Sequence, residues 1–452
     1  MIPPMSFSRL RARALPTLLF APLALVLSGC SFDDFFGAPE DPPLPGNRIA
    51  ILAIERGLRP DPSIADVAVR LPEPYVNTDW AQPGGSAAHA MYHLSLSANP
   101  RRIWSADIGE GSGDVAQVLA QPLVVGDLVY TMDARSVVSA FSASNGSRVW
   151  RVDLEDDDED DGFFGGGISY QDGKVFVATG FAKLFALNAR SGEVLWEHKA
   201  PAPMRSGPAV NDGRVFAITF DNQMIVVDAE SGDRLWNHVG VQETAGLLGS
   251  ASPAAAGNLV VVPYSSGEIL AMLADSGRVV WSENLSAIRR IDPLADIAQI
   301  RGLPVIDRDM VLAVSHAGRM LAIDTRQGVR VWQADLGGIE MPWPAGDVIY
   351  VLTKDSQLVC LQRRDGRIRW VQPLPRFEDP EDQDEPIRWT GPVLAGDRLV
   401  VAGSHGQVLS VSPYDGKPLG FFDVGSGVAV SPVVANNSLY VVTHSGTLVA
   451  LR

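Results

Sequence analysis

Cysteine is nearly absent: the 452 residues contain two, Cys30 and Cys360. That count excludes a disulfide-stapled scaffold and a thiolate-rich metal site. Positive charge is short as well, with 37 Lys+Arg against 53 Asp+Glu and a formal net charge of −16. A surface of that sign repels phosphate backbones, so nucleic acid is not expected as a partner. After residue 27 no apolar run is long enough to span a membrane. No stretch sustains a helical period. No nucleophile elbow, phosphate-binding loop or dinucleotide fingerprint stands in a strand-to-helix context.

Histidine is sparse, with seven in all. His316, His405 and His444 each fall in a short polar turn and read as turn residues. His89 and His93 have the i, i+4 spacing of two ligands on a helical face, but no Glu lies between them and no third ligand is in view. No catalytic, cofactor-binding or metal-ligating residue is expected. The solid run Glu155–Asp161 lacks the alternating spacing of a Ca²⁺ loop and reads, like 378–385, as a solvated connection.

What is present begins with the first thirty residues. Arg9, Arg11 and Arg13 precede a charge-free stretch, Ala14 to Leu27, and then small residues. This is the layout of a secretory signal. Its end, Leu27-Ser28-Gly29-Cys30, resembles the lipobox of bacterial lipoproteins. The resemblance implies cleavage after residue 29, lipidation of Cys30 and membrane attachment through more than one acyl chain. Ser31, in place of Asp, implies sorting to the outer membrane. Residues 30–47 are acidic and proline-rich and read as a tether. Residues 48–100 are an N-terminal extension of uncertain packing, lying across a face or along the body.

From residue 101 to 452 one phrase repeats. Tryptophans at 104, 150, 196, 236, 281, 332 and 370 are spaced by 38 to 51 residues. Before most of them stand a short apolar run, a Gly turn, two more apolar runs and a Ser-Gly turn, as in Gly207 to Trp236. Four short antiparallel strands per unit of about 40 residues describe a propeller blade. The seventh unit has Gly420 where Trp is expected, and the eighth stops at Arg452 before its last strand. The orphan strand around Trp104 supplies that strand. The expected fold is all-β: an eight-bladed β-propeller of four-stranded antiparallel blades, with N- and C-terminal closure of the last blade. The tryptophans read as inter-blade packing rather than ligand stacking.

The phrase Ala186-Leu187-Asn188-Ala189-Arg190-Ser191-Gly192-Glu193-Val194-Leu195-Trp196 resembles the blade motif of pyrroloquinoline-quinone dehydrogenases. Members of that family hold quinone against adjacent cysteines with a Ca²⁺ beside it. Cys360 lies alone on an apolar strand, and the connections are too short for a substrate cap. The combination of lipobox, tether and eight bare blades resembles the BamB family of the outer-membrane β-barrel assembly machinery. Leu247-Leu248-Gly249-Ser250-Ala251-Ser252-Pro253 and Ile291-Asp292-Pro293-Leu294-Ala295-Asp296-Ile297 are similar to two loops of that family.

The resemblance implies that both loops share one end of the propeller and dock on a POTRA domain of BamA, with Leu247, Leu248, Asp292 and Asp296 in contact. The family's Arg falls here on Leu248 and its second Asp on Ala298; Arg289 and Arg290 are candidates to restore the positive charge. A non-enzymatic scaffold is therefore expected on the periplasmic face of the outer membrane. Its expected partners are BamA-like POTRA domains and other assembly components, with unfolded barrel precursors as a further candidate. A quinone-dependent dehydrogenase, or a propeller binding another envelope partner, are the alternatives.

Overall fold

The structure is a computed structural model that describes residues 57–65, 67–114, 116–155, 165–243, 246–286 and 298–452. Residues 57–452 form one compact unit. Among the described residues there are eight four-stranded antiparallel sheets, one two-stranded hairpin and a single turn of 3₁₀ helix at Pro62–Ile64. In the first sheet the strands are Leu123–Val125, Leu128–Met132, Val137–Ser142 and Arg148–Asp153, here A to D, and they pair in sequence order. Seven sheets repeat this order, and we number them I to VII along the chain. Blade VIII combines Val433–Ala435, Ser438–Val442 and Thr447–Leu451 with Arg102–Asp107, which pairs as its strand D. The eight-bladed all-β propeller and its closure by both chain ends are thus observed.

Burial explains the hydrophobic pattern. Strands B and C are packed on both faces by neighbouring blades, so Val260-Val261-Val262 or Leu358-Val359-Cys360-Leu361 run unbroken and fully buried. Strand D forms each blade's outer edge and alternates, as in Arg148–Asp153, where Trp150 is buried and its flanks are exposed. Cys360 is a buried free thiol whose ionisation burial opposes strongly.

Each periodic tryptophan performs one job. The indole Nε1 of Trp281 donates to the Thr325 carbonyl of the next blade at 2.9 Å. Trp150 does the same to Ala189 at 2.9 Å and Trp332 to Arg363 at 2.8 Å. The ring lies on the glycine of that blade's C–D turn. A Cβ built on Gly328 would come within 2.4 Å of Trp281, and one on Gly146 within 2.6 Å of Trp104. These glycines also take left-handed φ near +70°. Gly420 breaks the series for a topological reason. Strands C and D of blade VIII come from opposite ends of the chain, so no C–D turn exists there for a tryptophan to cover.

Residues 57–100 do not stay on one face. Asp61 N–H donates to the Ile368 carbonyl on the outer strand of blade VI, and Arg70 N–H reaches Asp347 in its A–B turn. This strap then leads to the propeller axis. From there the chain visits strand A of every blade in order. Asn77 binds Val434 of blade VIII, Trp80 pairs with Val124 of blade I, and Ala81 accepts from Tyr170 of blade II. Gln82 exchanges two hydrogen bonds with Val210 of blade III, and Ala87 and Ala88 accept from Ala255 and Ile306 of blades IV and V. Tyr92 accepts from Trp343 of blade VI, and Leu94 pairs with Leu394 and Gly396 of blade VII. The segment makes one full turn inside the ring and plugs it.

His89 and His93 belong to this plug and not to a helix. His89 has φ +60°, and both rings are buried against carbonyls, His89 Nδ1 2.6 Å from Pro304 O and His93 Nδ1 2.7 Å from Pro72 O. Part of the acidic stretch 378–385 also departs from a plain loop: Phe377–Asp379 and Asp384–Pro386 pair as an exposed hairpin between blades VI and VII. Most of the run Glu155–Asp161 lies outside the described residues.

Candidate functional site: the funnel on the D–A face

With four antiparallel strands per blade, A–B and C–D turns fall on one face and B–C turns and D–A connections on the other. On the D–A face the eight connections surround a funnel of about 320 Å³. Its floor is the plug, at Trp80 and Pro83, together with Trp343 of blade VI; Trp80 and Trp343 stack at 6.4 Å. Its rim includes Gln121, Ser206, Leu247, Leu248, Arg301, Met341, Thr390 and Val430. Among the described residues Glu340 is the single carboxylate of the lining. Its side chain is 11% exposed; burial raises its pKa, and Arg301 opposes the rise from 3.6 Å.

The loop carrying Leu247 and Leu248 is built from outside itself. Gln299, on the next connection, accepts from Leu247 N–H at 2.5 Å through Oε1 and donates from Nε2 to Gly249 O at 2.9 Å. Arg301 Nε donates to Leu248 O at 2.8 Å. From the other side Ser250 N–H donates to Arg205 O. Gly249 takes φ +83°, which turns the chain back after the leucines. With the backbone held at four atoms, Leu247 is half-buried and Leu248 is 37% exposed. Two further apolar residues are exposed on the same face: Phe220, 45% exposed in the B–C turn of blade III, and Val241, 60% exposed on the same connection as Leu248. The Arg205 guanidinium lies 5.4 Å from the centre of the Phe220 ring. Exposed apolar side chains with cations beside them, on a rigid frame, suit protein docking.

Of the residues on this face, the family resemblance marks Leu247 and Leu248; Phe220, Val241, Gln299 and Arg301 are not marked by it. One signal was available: Phe220 stands in a B–C turn where blades V, VII and VIII carry His316, His405 and His444. The polar clamps left no such trace, because Gln299 and Leu247 are 52 residues apart. Arg289, Arg290, Asp292 and Asp296 lie outside the described residues, as does Cys30. Ala298, where the family pattern has an acid, is half-buried beside Gly267. The three turn histidines act separately: His316 lines the funnel, His405 packs edge-on against Trp389 at 5.2 Å, and His444 is held below its usual pKa by burial and by Arg388.

The funnel does not suit a Ca²⁺–quinone pair. Ca²⁺ takes six to eight oxygen ligands, generally with several carboxylates. Here the described lining offers one carboxylate, already facing Arg301, and no cysteine. Among the described residues no three His, Cys, Asp or Glu side chains gather as a metal site.

The family model described as outer membrane protein assembly factor BamB matches residues 134–372, more than half of the chain. The chain is 32% identical to the BamB proteins of Salmonella typhimurium and Escherichia coli over 362 residues, covering 78% of this chain and 88% of theirs. Among solved structures, BamB from Moraxella catarrhalis superposes with a TM-score of 0.63 at 20% identity, covering 78% of this chain and 98% of that one. A quinohemoprotein alcohol dehydrogenase from Comamonas testosteroni matches with a TM-score of 0.63 at 14% identity, over 82% and 80% of the two chains, a likeness of fold alone. A plugged eight-bladed ring, an apolar loop clamped at the rim of its D–A face and relatives at this identity and coverage lead to one conclusion: the chain belongs to the outer membrane protein assembly factor BamB family.

Proposed function

We propose that the chain is a non-enzymatic scaffold of outer-membrane β-barrel assembly, anchored through Cys30 on the periplasmic face and docking on POTRA domains of a BamA-like protein. The observation that carries this reading is the loop 247–249, whose leucines are presented to solvent while Gln299 and Arg301 hold its backbone. A loop ordered before binding loses little entropy on docking. Arg301 supplies positive charge beside Leu248, where the family pattern has its own Arg. Arg289, Arg290, Asp292 and Asp296 would extend the surface from the neighbouring connection. The donor set of the funnel supports a binding role over quinone chemistry.

A second role, contact with unfolded barrel precursors, is favoured by the blade edges. Strand D of seven blades shows solvent-exposed apolar residues, among them Val149, Leu195, Leu235, Val280, Val331, Phe421 and Ile103. These edges have open backbone groups to which an extended segment could add a strand. Blade VI is the exception, and the strap crosses it at Ile368.

The decisive measurement is the affinity of the purified chain for the POTRA array of the BamA-like protein from the same organism. Wild type is expected to bind at micromolar Kd or tighter. Leu248→Asp, and the double change Leu247→Asp with Asp296→Arg, are expected to weaken binding by about tenfold or more while the melting temperature holds. Binding unchanged in both variants would move the site elsewhere. Absence of binding by wild type would overturn the POTRA reading.

A further inference from the structure

A second cavity, of about 530 Å³, lies on the opposite, A–B face. It is walled by the strap at Val67, Ala68 and Arg70, by the A–B turns of blades V and VI, and by the C–D turn and outer strand of blade VI. Five of its ten described lining residues are arginines, at 70, 308, 363, 364 and 369, and one of the ten, Asp347, is acidic. In a chain of net charge −16 this gathers cations against the average.

The fold accounts for some of them. Arg363 is engaged, with Nε 2.6 Å from Asp307 Oδ2 and Nη2 2.8 Å from Asp309 Oδ1. Arg308 shares the same buried Asp307 at 3.1 Å. Arg364 turns to Asp365 at 3.3 Å and remains 74% exposed. Arg70 and Arg369 are different. Neither guanidinium has an ion-pair partner among the described residues, and Arg369 Nη1 is buried without a hydrogen-bond acceptor. A buried donor left unmade is unfavourable.

We propose that this groove binds a phosphate group. Guanidinium forks match phosphate oxygens in pairs and form charge-assisted hydrogen bonds. Arg70 on the strap and Arg369 on the blade line the groove from different elements, so a phosphate lodged in it has a guanidinium on each. The source favoured is the headgroup of an anionic phospholipid. The groove-lining part of the strap follows the segment read as the lipid tether by about twenty residues in the sequence, so this source rests on lipidation of Cys30, whereas the phosphate site does not. The groove faces away from the docking loop, so one face can meet a membrane surface while the other holds a protein.

Titration calorimetry on the full chain in a nonionic detergent tests this, with inorganic phosphate and dihexanoyl-phosphatidylglycerol as separate probes. Binding is expected for wild type, weakened about tenfold or more by Arg70→Gln and by Arg369→Gln. Arg190→Gln, an exposed C–D turn residue of blade II, is expected to leave it unchanged. Arg70 is exposed on the strap, so its variant keeps the test valid if Arg369→Gln fails to fold. Tighter binding of the lipid analogue supports the site with a headgroup as its source; equal binding supports it with free phosphate. No binding of either probe to wild type up to about 10 mM, or affinity indifferent to Arg70→Gln, overturns the proposal.

Discussion

Gly328 and Trp281 show how much one pair of residues contributes to the ring. The glycine must be left-handed at φ +69° and must leave room for the indole, since any Cβ would stand 2.4 Å from Trp281 Cβ. Gly328→Ala therefore meets backbone strain and a clash with a side-chain atom near the main chain, which has little freedom to withdraw. We expect it to lower stability by about 3 kcal/mol or more in urea unfolding. Trp281→Phe retains much of the apolar contact and loses the hydrogen bond to Thr325, so about 1 to 2 kcal/mol is expected. Equal, small effects of the two changes would show that the blades do not depend on this contact. The Trp and Gly periodicity was legible in the sequence. The reason for its lapse at Gly420 was not, because it lies in which strands lack a turn.

The plug is the element that sequence patterning could not place. Segment 57–100 has neither strand alternation nor helical period, and its partners are backbone groups of strand A around the ring. Its anchoring should depend on pH through His89. Burial pushes the His89 pKa down to about 4 from an ordinary value near 6.5, the bond to Pro304 only partly opposing it. Between those pH values the unfolded chain binds a proton that the folded chain refuses. The contribution of His89 is thus complete above about pH 6.5 and is lost as pH falls toward 4, by about 3 kcal/mol in all. Unfolding free energies compared between wild type and His89→Gln from pH 8 to 4 should diverge less at the acid end. Parallel curves would show that His89 titrates normally in the fold.

At the scale of the molecule, closure joins chain ends that are 340 residues or more apart. Arg102–Asp107 pairs with Thr447–Leu451, and Arg101 and Arg452 exchange backbone hydrogen bonds just beyond. Deleting residues 447–452 removes strand C of blade VIII and leaves strand D with no neighbour. We expect the cooperative thermal transition to be lost or lowered by more than 10 °C, a shift of the size that several kcal/mol produces in a large domain. A transition within about 2 °C of the intact chain would show that the plug alone holds the ring. The two faces divide the work proposed for the protein, with the clamped leucines on the D–A side and the arginine groove on the A–B side.

Local order was determined by the sequence alone. The period of the tryptophans, the unbroken apolar runs of strands B and C and the Ser-Gly turns specify a blade, because each depends on residues at most about 40 apart. Counting blades at both ends then specifies the closure. Leu247 and Leu248 could be marked as a candidate loop by resemblance. Their presentation was decided only by the tertiary structure, since Gln299 and Arg301 reach them across two connections. The same holds for the plug and for the arginine groove, whose members are up to 299 residues apart and carry no common pattern. Hydrophobic burial leaves a periodic record in sequence, while polar contacts between distant turns are set by three-dimensional position and leave none.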